Sequence, residues 1–245
     1  MTFANGKLEA QVHNKYIYGA EGSGQDCVKV VDGGFAGRDG SRVRYRENLV
    51  HDWILNANAH IHAEKRFVDE LIARNANVID VEAGLPPDPE LWDSAPRMDM
   101  VALEPCGNHW RLSVWEVKLV TNSEAKCQDG LPEVIGQLEK YEKWLAKNRK
   151  IACEAYQRTC AVLKDLHAIA KVLNPNIREL GNGIVTVAGQ DASELCFDGK
   201  PRLIIDDRSK NAAFTQNGHL KKLRDSGVHI HMVRSAPDMA LAAGA

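Results

Sequence analysis

The chain has no C-x-x-C pair, its six cysteines being scattered at 27, 106, 127, 153, 160 and 196. That spacing offers no framework for structural zinc or an iron–sulfur cluster, so reduced thiols are the expectation. It also has no run of about eighteen apolar residues, which excludes a membrane-spanning helix from the reading. The opening MTFANGKLEA lacks the charged-then-apolar pattern of a signal peptide, and a cytoplasmic protein is expected. No G-K-[ST] follows the glycines of EGSGQD and VDGGFAGRDGS, so these read as turns beside short strands rather than as a phosphate loop. No internal repeat and no low-complexity segment is present. Charge of one sign is lacking too: with a formal net charge of −2, any nucleic-acid site must be a local basic patch.

What is present suffices for a folded core, 44% of 245 residues being hydrophobic. Residues 1–45 read as an N-terminal extension of strands and turns. A helical pattern starts near Arg46 and runs through Val50, Trp53, Ile54 and Ala57. A second helix is predicted from Ala59 to Ala73, with Ile61, Val68, Leu71 and Ile72 on one face. NVIDVEAGLP, RMDMVALE and WRLSVWEVKLV read as three strands, the last two joined by the turn CGNH. LPEVIGQLEKYEKWLAKN is a helix with Pro132 in its first turn. Another is predicted over Ile151 to Leu173, inside a helical insertion of about 150–182. Strands GIVTVAG and PRLIIDD, a short basic helix at GHLKKLRDSG, and strand VHIHMV follow. The fold class is therefore α/β, a mixed central β-sheet flanked by helices, occupying residues 46–235, with a loose tail over 236–245.

One strand carries an anomaly. In RLSVWEVKL, Glu116 and Lys118 share a face with Leu112 and Val114, while Trp115, Val117 and Leu119 point the other way. Both faces are apolar enough for a central strand, where a carboxylate needs a reason to be. Folding the hairpin about CGNH sets Leu103 against Leu112, Val101 against Val114, Glu104 against Arg111 and Met100 against Trp115. The same register places Asp99 opposite Glu116, two like charges that repel. A hard cation between them, magnesium above all, would make the arrangement favourable, with Lys118 beside it to act on a transition state or on water. On the preceding helix, Glu64 falls near the middle of the apolar stripe, and Glu47 at the edge of the stripe before it is the second choice for a third acid. On the following helix, Gln137 and Tyr141 are neighbours four residues apart.

Glu64 on a helix, Asp99 in RMDMVAL, Glu116 and Lys118 in WEVK, and Gln137 with Tyr141 in a following Q-x-x-x-Y together resemble the PD-(D/E)XK nuclease superfamily. The resemblance covers roughly residues 60–145. It implies a restriction-endonuclease-like α-β-β-β-α-β core and Mg2+-dependent cleavage of phosphodiester bonds, Mn2+ substituting. Carried over, Asp99 and Glu116 hold the metal with Glu64, Lys118 assists the water, and Gln137 and Tyr141 support the site. Met98 stands where the pattern has its proline. The expected activity is that of a nuclease acting on DNA, in restriction, phage defence or mobile-element processing, with a homodimer or larger complex compatible with one metal site per chain. A non-catalytic nucleic-acid-binding or assembly subunit that keeps the fold is the alternative.

Plainer readings stand beside these. Asp99, Glu116 and Lys118 could form an internal ion pair on a partly exposed strand, with Lys118 or Arg97 bridging to Asp99. Lys140, Lys143 and Lys147 read as a solvated helix face that, with Arg149 and Lys150, keeps a phosphate-contact hypothesis open. Asp206 and Asp207 end a strand. His229 and His231 alternate with apolar residues and lack the further ligands that zinc would need.

Overall fold

A computed structural model describes residues 61–84, 88, 90 and 97–241, isolated helical residues at 52, 54, 55 and 58, and six short strands before them. The chain divides into two compact units, Met1–His62 and Ala63–Ala245. The second unit starts at Ala63, where the sequence expectation put the start of the main domain at 46. Most of the helix expected from Arg46, Glu47 included, lies outside the described residues, as do Pro86 and Pro87.

In the first unit, β1 (Thr2–Ala4) pairs antiparallel with β2 (Lys7–Glu9). A second antiparallel sheet runs in the order β3 (Gln11–His13), β4 (Cys27–Val31), β5 (Gly34–Ala36) and β6 (Arg42–Arg44).

The second unit is α/β. Its elements are α1 (Ala63–Arg74), β7 (Val78–Gly84), β8 (Arg97–Cys106), β9 (His109–Leu119), α2 (Glu133–Leu173), α3 (Asn182–Ala188), β10 (Arg202–Asp206), α4 (Ala212–Gln216), α5 (His219–Asp225) and β11 (Ile230–Val233). Five strands form one mixed sheet in the order β11-β10-β9-β8-β7. Strands β7, β8 and β9 are antiparallel, and β9, β10 and β11 are parallel. β9 is central, and alternation along it sorts the core onto two faces. Leu112 and Val114 pack with Val101, Leu103, Leu203 and Ile205 against Val134, Leu138, Tyr141 and Leu145 of α2. Trp115 and Val117 pack with Met100, Ala102 and Ile204 against Phe67 and Leu71 of α1. Among the described residues no helix is long and apolar enough to cross a membrane.

One local expectation is met and two are corrected. The two helices expected on either side of residue 150 are present and join end to end as α2 at a kink at Asn148, whose φ of −115° and ψ of 18° leave the helical region. Asn148 donates its side-chain N–H to the Trp144 carbonyl at 2.9 Å, so the bend keeps a partner for that carbonyl. With neither proline nor glycine at the kink, the chain resumes a helix directly after Asn148 and runs on to Leu173.

GIVTVAG is the first correction: it is helix α3, not a strand. Its β-branched residues favour a strand locally. Burial decides otherwise, for Gly183, Ile184 and Val187 are buried at helical spacing while Val185 is exposed. The backbone comes so close to the turn before β7 that a Cβ on Gly181 would lie 2.0 Å from Asn77 Oδ1 and 2.6 Å from the Ala76 carbonyl oxygen. Asn77 Oδ1 in turn accepts the Gly183 N–H at 2.9 Å. Gly181 has φ −62°, so its requirement is space rather than conformation. Gly181→Ala is expected to lower stability by about 2 kcal/mol, in the range of other overpacking substitutions. Chemical denaturation checks this, and an unchanged midpoint would contradict the tight approach.

The second correction is the tail, which is docked as far as Leu241. Met239 is buried against Phe67 and Trp115. Asn75 clamps the segment, donating to the Met239 carbonyl and accepting the Leu241 N–H, both at 2.9 Å.

Candidate functional site

The β8–β9 register is the one expected: Leu103 faces Leu112, Val101 faces Val114, Glu104 faces Arg111 and Met100 faces Trp115. Met100–Trp115 is the last pair of the ladder at this end. Asp99 is therefore not a ladder partner of Glu116. Its side chain replaces a backbone acceptor, Oδ2 taking the Val117 N–H at 2.7 Å. That bond ties the Asp99 carboxylate to β9 within two residues of Glu116 and Lys118. Burial raises the Asp99 pKa, against the Val117 hydrogen bond and the Lys118 charge, with Glu64 and Glu82 adding to the rise.

Glu116 is 2% exposed. Its Oε1 accepts from Lys118 Nζ at 2.7 Å, and its Oε2 is buried without a hydrogen-bond partner. Burial, then the Asp99 charge, pushes its pKa up to about 8 despite the attraction of Lys118. Lys118 Nζ also meets Glu124 Oε2 at 2.9 Å. Burial alone would lower the lysine's pKa, but the Glu116 charge and the hydrogen bonds to Glu116 and Glu124 outweigh it and raise the value. Neither bridge to Asp99 considered from sequence forms: Lys118 pairs with Glu116 and Glu124, and Arg97 approaches Glu82 at 3.7 Å.

Glu64, half-buried near the start of α1, accepts from Asn122 Nδ2 at 2.9 Å. Asn122 Oδ1 accepts the Glu124 N–H at 2.9 Å, capping the single 3-10 turn Ser123–Ala125 that follows β9. This turn holds Glu124 next to Lys118, and Asn122 ties Glu64 of α1 to the same loop. The Glu64 charge reaches Asp99, Glu116 and Lys118, but the three acids do not converge on one point. Among the described residues no group of three or more His, Cys, Asp or Glu side chains is arranged to hold a metal ion. The carboxylates placed to meet a cation are Asp99 and Glu116, the latter through its unpartnered Oε2.

Gln137 and Tyr141 lie at the same end of the sheet and bond to each other, Gln137 Nε2 donating to the Tyr141 hydroxyl at 2.6 Å. The hydroxyl donates to the Arg97 carbonyl at 2.6 Å, anchoring the start of β8 two residues before Asp99. Burial, then the Glu116 charge, raises the Tyr141 pKa, so the hydroxyl keeps its proton. Lys140, Lys143, Lys147, Arg149 and Lys150 are exposed along α2. Two of these are engaged with acids of the chain itself. Lys147 meets Asp88 and Glu90 at 3.2 Å each, and Lys150 approaches Glu154 at 3.9 Å.

Three residues of the site went unread in the sequence. Glu124 and Asn122 sit in a loop, where no periodicity marks a side chain's direction. Glu82, in β7, has φ +51°, a left-handed conformation that strand alternation does not anticipate. A carboxylate and an amide directly after the ExK strand were the only available signal. Of three clefts in this unit, of about 750, 610 and 450 Å3, the second is lined in part by Arg149 and Lys150, and none of the three is lined by Glu64, Asp99, Glu116 or Lys118. No protein-family model, no curated protein and no solved structure matches the chain.

Proposed function

We propose that the protein is a metal-dependent phosphodiester hydrolase, a nuclease acting on DNA, of the PD-(D/E)XK type. The observation that carries the reading is the buried Glu116 carboxylate. One oxygen is held by Lys118, the other has no partner, and Asp99 is tied to the same strand. A stable domain has little reason to bury an acid in this state unless a cation completes its surroundings. The element order of the second unit, α1-β7-β8-β9-α2-α3-β10, follows the α-β-β-β-α-β core that this type implies, with one helix added.

In this reading Asp99 and Glu116 hold Mg2+ or Mn2+, which when bound polarises the scissile phosphate and lowers the cost of ionising water. Asp99 is oriented by the Val117 N–H on Oδ2, which leaves Oδ1 for the cation. Lys118, steered by Glu116 and Glu124, offers a proton-rich ammonium to the attacking water or to the charge building on phosphate. Glu64, oriented by Asn122, adds negative potential that retains the cation. Tyr141 and Gln137 hold the start of β8 in place. Of the exposed basic residues on α2, Lys140, Lys143 and Arg149 are the better placed to meet backbone phosphates.

A second reading is favoured by the pairing of Lys118 with two acids and of Glu64 with Asn122, which leaves a largely self-satisfied polar cluster. On that reading the chain is a non-catalytic nucleic-acid-binding or assembly subunit. The deciding experiment incubates the purified protein with circular DNA, linear DNA and RNA under Mg2+, Mn2+ or EDTA. Cleavage that needs metal and nicks the circle supports an endonuclease. Inactivity on every substrate, with nucleic-acid binding retained, supports the subunit.

A further inference from the structure

Past its bend, α2 carries a face that no described residue of its unit covers. Ile151, Val162, Leu166, Ile169 and Leu173 are 56–83% exposed. Together with Ala155 and Arg158 they recur at steps of three and four residues. At about 100° per residue all seven fall within roughly 40° of Val162, a straight stripe about 33 Å long. The opposite face of the same helix is used inward, through Cys153, Tyr156, Cys160 and Leu163. Both faces of one helix are therefore apolar, which is the pattern of a helix between two partners rather than at a surface.

We propose that this stripe is the dimerisation face of the protein, packing antiparallel against the same stripe of a second copy about a two-fold axis at Val162. The inference is independent of the catalytic reading. Size supports it first. Side chains of this kind present about 100 Å2 of apolar area each. Two copies would therefore remove on the order of 1,000 Å2 from water, the lower bound for a specific interface. Spacing supports it second, because steps of three and four make the narrow seam along which two helices interlock. In the antiparallel arrangement Ile151 meets Leu173, Ala155 meets Ile169 and Val162 meets itself.

Charge complementarity is the third support. Arg158 is the one charged residue in the stripe, and it has no ion-pair partner among the described residues. Asp165 is exposed two turns further on, on the same flank, also without one. A two-fold axis at Val162 brings each Arg158 to the height of the other copy's Asp165, giving two symmetric ion pairs beside the seam. A parallel pair would instead set Arg158 against Arg158 across the interface.

Sedimentation equilibrium of the full chain over roughly 1–100 µM tests this. The wild type is expected to be a dimer. Leu166→Glu with Ile169→Glu should give a monomer with unchanged circular dichroism, since both positions are exposed. Arg158→Glu alone and Asp165→Arg alone should each weaken association by about tenfold, and the two together should restore it. A wild type that stays monomeric, a Leu166→Glu/Ile169→Glu variant that remains dimeric, or a charge swap without recovery would overturn the proposal.

Discussion

At pH 8, Mg2+ is expected to raise the melting temperature of the wild-type protein and to leave Glu116→Gln unmoved. The expectation follows from the burial of Glu116 and its unpartnered Oε2. In the unfolded chain this carboxyl titrates at its ordinary value of 4.5, and in the folded protein at about 8. The raised value means that the folded state binds the proton more tightly. Stability is thus fully present below pH 4.5 and is lost as pH rises through about 8. The loss is on the order of 2–4 kcal/mol, which for a domain of this size is roughly 5–10 °C in melting temperature. Glu116→Gln mimics the protonated acid, keeps an acceptor for Lys118, and should melt higher than the wild type at pH 8 but not at pH 5. A cation that binds only the folded protein stabilises it by mass action, and more strongly as Glu116 ionises. Asp99→Ala should lose the metal response as well. Equal shifts in wild type and Glu116→Gln, or no shift with either Mg2+ or Mn2+, would remove the metal from the account without any reference to activity.

The parts of this arrangement legible in the sequence are those set by strict alternation. β9 is apolar on both faces, and its pairing with β8 through four residues follows from matching Leu, Val and a charged pair. The anomaly at Glu116 was visible because burial could be read for its neighbours. The same logic stopped at Asp99, since a side chain taking a backbone N–H leaves no mark in a period of two. On α1 the apolar stripe was read without Phe67, although Phe67 and Leu71 are its buried residues and Val68 and Ile72 only half-buried. Helix against strand at GIVTVAG depended on a glycine fitted against Asn77, a contact more than a hundred residues away in sequence. Likewise the last residues read as loose because they are small and weakly patterned, while their order comes from Asn75 and from a pocket for Met239. Local propensity described the elements that propensity controls, and distant packing controlled the remainder.

Lys118→Ala is expected to reduce metal-dependent DNA cleavage by about 100- to 1,000-fold while leaving the Mg2+-induced rise in melting temperature in place. The separation of the two readouts comes from the geometry. In the proposed site Asp99 and Glu116 hold the cation, whereas Lys118 enters only as a donor, through contacts of 2.7 Å to Glu116 and 2.9 Å to Glu124. Removing the ammonium takes away a stabiliser of charge on water or phosphate but no oxygen ligand. It also takes a positive neighbour from Glu116, which raises that acid's pKa further and moves the metal response toward higher pH. Asp99→Ala should lose cleavage and metal response together, because it deletes an oxygen donor and frees the Val117 N–H that fixed the strand end. The ordering of the variants therefore separates three accounts. Cleavage lost in both, with metal response lost only in Asp99→Ala, is the outcome for a nuclease in which Lys118 acts on the reaction. Metal response lost in both would make Lys118 a positioning residue for Glu116. Cleavage unaffected by either substitution would place the chemistry elsewhere in the chain and leave this cluster as a buried ion pair.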